Sequence, residues 1–406
     1  MINVKSMFQG LCRRAFLIFA VFMGLILLGL MTSCQKDNTE PPKPLVKFQP
    51  LVSEKLIFKR EPTSGSGRAF LTLGPVVADG KVFSVGKTGG VASIDAKTGH
   101  RIWYKNLRAD LSSTPAVFDG KVFVGSLDGE LFCLDESSGN IIWEVSLPSS
   151  LLAPPVGDDS HVFVHTHDDS LTVFDLQTGK QIWQVLGNTP SLTMAGDAAP
   201  VLFNNLVILA NHSGELLAYQ VNNGQLAWER PVALPSGGTD VAQMVDIIGT
   251  PVLDNGVLYV ATYHGNLAEV SPIDGSLIWQ HPVSSLRDLA VADLSNSTGV
   301  VVVTNEKGHV LAFDKHTGRA LWSQDAFEAR FTTGPGVVLN NNQTEGFVVV
   351  GDYAGYLHVL NLKNGEQVGQ VKLSSHAIKA PVFVSNDLFY ATDADGHVAA
   401  YEINKK

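Results

Sequence analysis

The stretch HTHDD, from His165 to Asp169, has the residue types and spacing that best suit a metal site. Its two histidines are two residues apart, which puts them on the same face of a β-strand, and imidazole is a ligand that suits zinc and copper. The stretch lies where a strand pattern runs into a turn, a place where polar side chains usually face solvent. We therefore expect a structural or solvated role and predict no metal site here. His264 and His309, beside similar turns, receive the same interpretation.

The rest of the sequence predicts neither catalysis nor a cofactor. It contains no G-x-S-x-G motif, no phosphate-binding loop, no Cys-x-x-Cys-His and no carboxylate cluster with calcium-ligand spacing. Cys133, in the apolar segment ELFCLD, is typical of a small core residue. The chain has 39 acidic against 29 basic residues, a formal net charge of −10, which argues against nucleic-acid binding. We predict that the protein is not an enzyme.

Residues 1–33 predict a lipoprotein signal peptide. A positively charged start precedes an uncharged apolar run at 15–31, and small residues stand directly before Cys34. This arrangement resembles a bacterial lipobox, although Met31 occupies a position where leucine is usual. Acylation of the Cys34 thiol would anchor the chain in a membrane, and Gln35 in place of aspartate implies sorting to the outer membrane. A retained membrane anchor and plain secretion are the alternatives.

The remaining chain divides into a tether and a repeat. Residues 34–50 contain the lipidated cysteine and four prolines, and predict a semi-rigid tether. Within residues 51–406, the decapeptide IDAKTGHRIW at 94–103 recurs in looser copies, and all six tryptophans occupy its last position. Each repeat holds four short β-rich segments separated by turn signals such as Asp119–Gly120. Four antiparallel strands in one repeat of this length are typical of a propeller blade.

The number of repeats and the chain ends together predict closure. The third-strand pattern occurs eight times, and no fourth strand follows the last copy. Residues 55–60, KLIFKR, match the fourth-strand pattern, with Phe58 in the tryptophan position. We therefore predict an all-β, eight-bladed β-propeller over residues 51–406, with four antiparallel strands per blade and the N-terminal strand completing the last one. An open solenoid of sheets, the alternative, would leave unpaired edges at both ends.

The decapeptide itself predicts a turn and an inter-blade contact. Its glycine provides positive φ, Asp95 and its equivalents can accept backbone N–H bonds, and the tryptophan can pack between blades with its indole N–H donating to a carbonyl. In the seventh copy Gly369 replaces the tryptophan, so that contact is lost or made by a neighbour.

Two connections between blades are longer than the others, at 186–198 and 231–249. Strand alternation puts all such connections on one face of the propeller, opposite the decapeptide turns, so we expect the two to be neighbours. They are unusually apolar for exposed loops, because they carry Leu192, Met194, Met244, Val245, Ile247 and Ile248. The two loops either pack on each other over the mouth of the ring or form a protein-binding surface, and we favour the surface.

The stretches PSLTMAGDAAP (190–200), TPVLDNGVLYVATYHGNLAEVSPIDGSLIW (250–279) and VVVGDYAGYLHVLN (348–361) resemble the BamB family, the lipoprotein propellers of the outer-membrane β-barrel assembly machinery. The resemblance runs through the whole mature region. It implies a non-catalytic scaffold, anchored by lipid to the outer membrane with its propeller in the periplasm. The implied partners are the POTRA domains of BamA, the rest of the assembly complex and, further, unfolded outer-membrane proteins.

The resemblance also implies a site. The partner-binding motif of the family resembles P-S-L-x-L-R-G, followed in the next extended loop by D-V-D. Matched by position, the implied partner-binding residues here are Leu192, Met194 and Asp246. Ala195 stands where the family has arginine, and Ile248 replaces the second aspartate, so each loop lacks one charge of the family pattern.

Two other functions remain open at this point. The decapeptide resembles the tryptophan-docking repeat of the quinoprotein (PQQ-dependent) dehydrogenases, so a periplasmic oxidoreductase-like propeller is an alternative. Those enzymes are larger, and no cluster in this sequence resembles their cofactor site. A generic periplasmic protein-binding scaffold is the other alternative.

Overall fold

The strands that the structure describes form eight separate four-stranded antiparallel sheets. The structure is a computed structural model that describes residues 40–295, 299–340, 342–385 and 387–406. Residues Pro42–Lys406 form one compact unit. The predicted signal peptide, residues 1–33, and the predicted lipidation site Cys34 lie outside the described residues. In the described part of the chain no helix has both the length and the apolar character needed to span a bilayer.

The first strand of the chain, β1 (Val52–Arg60), is followed by seven sheets whose strands are consecutive in sequence. Blade 1 contains β2 (Val76–Ala78), β3 (Lys81–Val85), β4 (Gly90–Asp95) and β5 (Arg101–Asn106). Blade 2 contains β6 (Ala116–Phe118), β7 (Lys121–Gly125), β8 (Glu130–Asp135) and β9 (Ile141–Ser146). Blade 3 contains β10 (Val156–Gly157), β11 (His161–His165), β12 (Leu171–Asp175) and β13 (Gln181–Val185).

The pattern continues through the second half of the chain. Blade 4 contains β14 (Val201–Phe203), β15 (Leu206–Ala210), β16 (Glu215–Gln220) and β17 (Leu226–Pro231). Blade 5 contains β18 (Val252–Asp254), β19 (Val257–Ala261), β20 (Asn266–Val270) and β21 (Leu277–Pro282). Blade 6 contains β22 (Ala290–Ala292), β23 (Val300–Thr304), β24 (Val310–Asp314) and β25 (Ala320–Gln324). A short 3₁₀ helix, Val241–Gln243, lies between blades 4 and 5.

The last two blades complete the ring. Blade 7 contains β26 (Gly336–Leu339), β27 (Gly346–Gly351), β28 (Tyr356–Asn361) and β29 (Gln367–Lys372). Blade 8 contains β30 (Phe383–Ser385), β31 (Leu388–Thr392) and β32 (Val398–Lys405), and its outer strand is β1. The β1–β32 pairing runs antiparallel from Val52 opposite Lys405 to Arg60 opposite Val398. The predicted eight-bladed propeller with an N-terminal closing strand is confirmed, and the open solenoid is wrong.

The apolar core lies between blades. The middle strands of each blade are buried on both faces, as in β3 and β7, because each sheet packs against a neighbouring sheet on either side. One such interface joins Phe83 of blade 1 to Val122 and Phe132 of blade 2. The fourth strands alternate between exposed and buried residues, which is the period of a strand with one face in solvent. Burial at these interfaces is the main favourable contribution to folding.

The decapeptide forms the turn between the third and fourth strands, called here the C–D turn. Gly139 has φ +70°, and a Cβ built there would lie 2.6 Å from the Trp103 ring of the preceding blade, so only glycine fits. The Trp103 Nε1 donates a hydrogen bond to the carbonyl of Glu136 at 2.8 Å. Asp95 Oδ1 accepts the backbone N–H of Thr98 at 2.8 Å, as predicted for the turn.

The two exceptions to the repeat are both explained by β1. Phe58 packs against Gly99, as a tryptophan does in the other blades, so the predicted match of KLIFKR to a fourth strand is confirmed. At Gly369, where the tryptophan is missing, the space is filled by Glu54 and Val52. The inter-blade contact is therefore made by a neighbour, one of the two outcomes that the sequence left open.

The connections from one blade to the next, called here D–A connections, lie on the opposite face of the ring from the C–D turns. The B–C turns, between second and third strands, share that face, as shown by the hydrogen bond from Leu107 N to Gly89 O at 2.8 Å. The A–B turns, between first and second strands, share the C–D face, because Gln177 in one blade contacts Asp119 in another. We call the two sides the D–A face and the C–D face.

Part of the predicted tether is attached to the propeller. Residues 40–51 form neither helix nor strand. Lys43 N donates to the carbonyl of Glu328 at 3.0 Å, and Arg330 Nη1 donates to the carbonyl of Lys43 at 3.1 Å. Both partners belong to the D–A connection after blade 6, so the chain is fixed to the D–A face at Lys43, before it reaches β1.

Candidate partner-binding site

Two long D–A connections lie side by side, as predicted from the sequence. We call residues 186–198, between blades 3 and 4, the first loop, and residues 231–249, between blades 4 and 5, the second loop. Met194 N in the first loop donates a hydrogen bond to Asp246 Oδ1 in the second at 3.0 Å. Just after the loops, Ala199 N donates to Thr250 Oγ1 at 3.1 Å. These bonds join the two loops into one continuous surface.

The three residues implied as partner-binding occupy different depths in this surface. Leu192 is 43% exposed, Met194 is half-buried, and Asp246 is 0% exposed. Burial raises the pKa of the Asp246 carboxyl, and the hydrogen bond from Met194 lowers it by less. Among the described residues nothing donates to its second oxygen, Oδ2. Asp246 therefore holds the first loop from below, while Leu192 and Met194 are within reach of solvent.

The apolar side chains of the second loop are mainly structural. Met244, Val245 and Ile247 are buried, and Ile248 is half-buried. Ile247 packs in the core between blades 4 and 5, so it is not presented to a partner. The exposed apolar residues of the two connections include three that the sequence argument did not single out: Leu186, Leu234 and Val241. The same criterion, apolar residues within an insertion, would have found them.

A cavity of about 690 Å³ opens beside the loops on the D–A face. Met194, Ala195 and Ile248 contribute to its wall, so the two positions that depart from the family's charges face an apolar space. Its remaining wall includes the aromatic residues Phe70, Phe331 and Tyr353. Phe70 is 90% exposed, and the other two rings lie 5.8 Å apart between centroids. These aromatic residues lie in ordinary connections, where no feature of the repeat marks them.

The HTHDD stretch runs from the last residue of β11 into the B–C turn of blade 3, beneath the first loop. His165 and Asp169 are buried because the first loop covers the turn, so of the two expected roles, structural or solvated, these residues have the structural one. The His165 Nδ1 donates to the carbonyl of Ala198 at 2.8 Å, which confirms a structural role. His264 is exposed, as expected, whereas His309 is half-buried.

A group of four side chains, called here the His/Asp cluster, lies under the first loop: His167, Asp169, Asp197 and His212. His212 Nδ1 lies 2.7 Å from Asp169 Oδ1, and His167 Nδ1 lies 2.8 Å from Asp197 Oδ1. Burial lowers the pKa of His212, but its bonds to the two aspartates outweigh burial and raise the pKa to about 10. These bonds fasten the end of the first loop to blades 3 and 4.

Cys133 is fully buried in the interface between blades 2 and 3. Burial raises the pKa of its thiol to about 12, so the thiolate is not formed near neutral pH. The interpretation of Cys133 as a core residue is confirmed.

Comparison with known proteins decides the family. A family model described as outer membrane protein assembly factor BamB matches residues 87–324, 249–375 and 306–405. The BamB of Pseudomonas aeruginosa is 39% identical over 381 residues, 94% of this chain and 97% of its own length. The BamB of Kangiella koreensis is 35% identical over 382 residues, 94% of this chain and 96% of its own. The chain belongs to the BamB family. The prediction that it is not an enzyme agrees with this membership, because the relatives are named assembly factors.

Solved structures support the BamB fold. The crystal structure of BamB from Moraxella catarrhalis matches with a TM-score of 0.74 and 24% identity, covering 86% of this chain and all of that one. The quinohemoprotein alcohol dehydrogenase of Comamonas testosteroni matches with a TM-score of 0.65 and 14% identity, covering 90% of this chain and 81% of its own. At this identity the dehydrogenase shares the fold alone.

Proposed function

We propose that this protein is a lipid-anchored scaffold of the outer-membrane β-barrel assembly complex. In this proposal acylated Cys34 holds it to the outer membrane, and the propeller lies in the periplasm. The first and second loops bind the POTRA domains of BamA, and the protein thereby aids the folding and insertion of outer-membrane proteins. Its membership of a family named for outer-membrane protein assembly supports the proposal.

The observation that carries the partner-binding part is the hydrogen bond between Met194 N and Asp246 Oδ1. It fixes the first loop to a floor made by the buried residues of the second, so Leu192 is presented on an ordered backbone. A partner then binds without first having to order the loop, and this pre-organisation increases affinity. An apolar side chain in the centre of such an interface typically contributes about 1–3 kcal/mol.

The proposal is tested with the variant Leu192→Asp/Met194→Asp. We expect BamA to be lost from the complex that co-purifies with the full chain from detergent-solubilised envelopes, because two charges would have to be desolvated in an apolar contact. The matched control is Ile273→Asp, which puts the same charge on a 70% exposed apolar residue of the C–D face. This control should retain BamA.

Both variants must melt at the wild-type temperature for the comparison to count. Undiminished BamA recovery with a folded Leu192→Asp/Met194→Asp chain would contradict the assignment of the surface. Equal loss in the Ile273→Asp control would instead place the contact on the C–D face.

A further inference from the structure

The His/Asp cluster brings together metal-ligating side chains from three separate segments of the chain. His167 and Asp169 come from the B–C turn of blade 3, and His212 comes from the B–C turn of blade 4. Asp197 comes from the end of the first loop. The partner-binding surface proposed above does not use any of these side chains, so their convergence needs another explanation.

The spacing of three of these residues fits a transition-metal ion. His167, Asp197 and His212 each offer one ligand atom, and the three atoms lie within 4.8 Å of one another. The distance from Asp197 Oδ1 to His212 Nε2 is 3.3 Å, and to His167 Nδ1 it is 2.8 Å. A tetrahedral zinc ion with bonds of about 2.0–2.1 Å separates its ligand atoms by about 3.3 Å. His212 Nε2 already has this separation from Asp197 Oδ1, and His167 Nδ1 lies about half an ångström closer to Asp197 Oδ1 than this separation.

His212 is held with its Nε2 beside the carboxylate of Asp197. Its Nδ1 lies 2.7 Å from Asp169 Oδ1, so Asp169 fixes the orientation of the ring. Its Nε2 lies 3.2 Å from the carbonyl oxygen of Gly196 and 3.3 Å from Asp197 Oδ1. Nε2 is therefore the atom that a metal ion between His212 and Asp197 would bind.

The two carboxylates of the cluster are not fully paired, although His165 Nε2 also lies 3.3 Å from Asp169 Oδ1. The Asp169 and Asp197 side chains are almost completely buried, and among the described residues neither Oδ2 accepts a hydrogen bond. Buried carboxylates are normally paired or bound to a metal. His167 is only half-buried, so an ion can reach the cluster from solvent. Two imidazoles with one carboxylate suit zinc better than calcium or magnesium, which prefer oxygen ligands.

We propose, against the sequence prediction of no metal site at HTHDD, that His167, Asp197 and His212 bind one zinc ion, and that Asp169 orients His212. On binding, His212 releases its Nε2 proton to solvent and keeps the Nδ1–H bond to Asp169, which is a common arrangement around zinc-bound histidines. Three protein ligands leave a fourth position for water. The ion would fasten Asp197, and with it the end of the first loop, to blades 3 and 4.

The test is metal binding by the full chain in detergent after removal of metals with a chelator. We expect one equivalent of Co²⁺ to bind with the visible absorption of a tetrahedral complex, and Zn²⁺ to displace it. His167→Gln and Asp197→Asn should each weaken binding by at least about tenfold. The matched control is His376→Gln, because His376, Asp393 and His397 form a second His/Asp group among the described residues, in which His376 is exposed. This control should bind as the wild type does.

Zinc should also raise the melting temperature of the wild type and of His376→Gln, but not that of the two cluster variants. The proposal is overturned if the wild type binds no equivalent at saturating cobalt, or if His376→Gln abolishes binding while His167→Gln retains it. Should Asp197→Asn not fold, the half-buried His167 still provides the test. BamA recovery is a separate measurement, so either proposal can fail without the other.

Discussion

The C–D face and the D–A face of this propeller are built on different principles. On the C–D face the same turn occurs seven times, and its glycines all have φ between 66° and 71°: Gly99, Gly139, Gly179, Gly224, Gly275, Gly318 and Gly365. On the D–A face the connections differ in length and composition, and two of them form the candidate site. The C–D face repeats one turn structure, whereas the D–A face is held by contacts that each occur once.

Aspartate side chains, either buried or half-buried, supply many of those single contacts. Asp246 Oδ1 accepts Met194 N, and Asp288 Oδ1 accepts Thr250 N at 2.7 Å, which holds the end of the second loop. Asp352 accepts the Arg330 side chain at 2.7 Å. The long loops lack the turn and the inter-blade tryptophan contact that recur in the repeat. Their backbone N–H groups therefore need side-chain acceptors of their own. The comparison predicts that changes on the C–D face alter stability and changes on the D–A face alter binding.

The largest expected effect is on the C–D side, for Trp103→Ala. It removes a ring packed between blades 1 and 2 and leaves the Glu136 carbonyl without its donor. We expect the free energy of unfolding to fall by about 3–5 kcal/mol, measured by chemical denaturation. BamA binding by the folded fraction should be unchanged. Ile102→Ala, at the exposed neighbouring residue, is the control and should change stability by less than about 0.5 kcal/mol. A loss of BamA from folded Trp103→Ala would contradict the prediction that changes on the C–D face alter stability and leave binding unchanged.

An intermediate effect is expected at Asp246, which separates positioning from direct contact. Asp246→Leu removes the acceptor for Met194 N and should weaken BamA binding by about 1–3 kcal/mol. Asp246→Asn keeps an acceptor oxygen and should bind nearly as the wild type does. Titration calorimetry on the full chain measures both affinities. If the asparagine variant is as weak as the leucine variant, the carboxylate charge itself contacts the partner.

The smallest effect concerns acid stability. Burial lowers the pKa of His358, although its bond to Asp352 at 3.0 Å opposes this. A histidine with a lowered folded pKa contributes full stability above its unfolded value of about 6.5, and loses that contribution as pH falls toward the folded pKa. The pKa of Asp352 is lowered, so its contribution persists to more acidic pH. Melting temperatures between pH 7 and 5 should fall less steeply in His358→Gln than in the wild type; equal slopes would exclude His358 as the cause.

The sequence predicted the fold because the fold is periodic. A unit recurring at nearly constant spacing, with its glycine and tryptophan in fixed positions, leaves few choices of architecture. Phe58 lies far in sequence from the other strands of its blade. It was nevertheless identified, because it takes the tryptophan position of the fourth-strand pattern. The adjacency of the two loops followed from strand alternation alone. Each of these inferences depends on regularity, and each was confirmed.

Which individual side chains of the D–A face are buried could not be predicted in the same way. The burial of Asp246 depends on how one insertion folds over another, and no period determines that. His165 and Asp169 are buried because the first loop, later in the sequence, covers them. Phe70 and Tyr353, which are far apart in the sequence, both line the cavity. These features depend on contacts between segments that do not occupy equivalent positions in the repeat, so its period does not predict them.

The pairing of β1 with β32 also has a consequence for the order of folding. Hairpins within the other seven blades join residues that are close in sequence, and such contacts form rapidly. Blade 8 joins Val52 to Lys405, so it cannot form until the last strand has been synthesised. Until then the apolar faces of blades 1 and 7 that pack against blade 8 are uncovered, and exposed apolar surface makes a partly folded chain prone to aggregate. Ring closure is therefore a late and aggregation-prone step of folding, because it requires strands from both ends of the propeller.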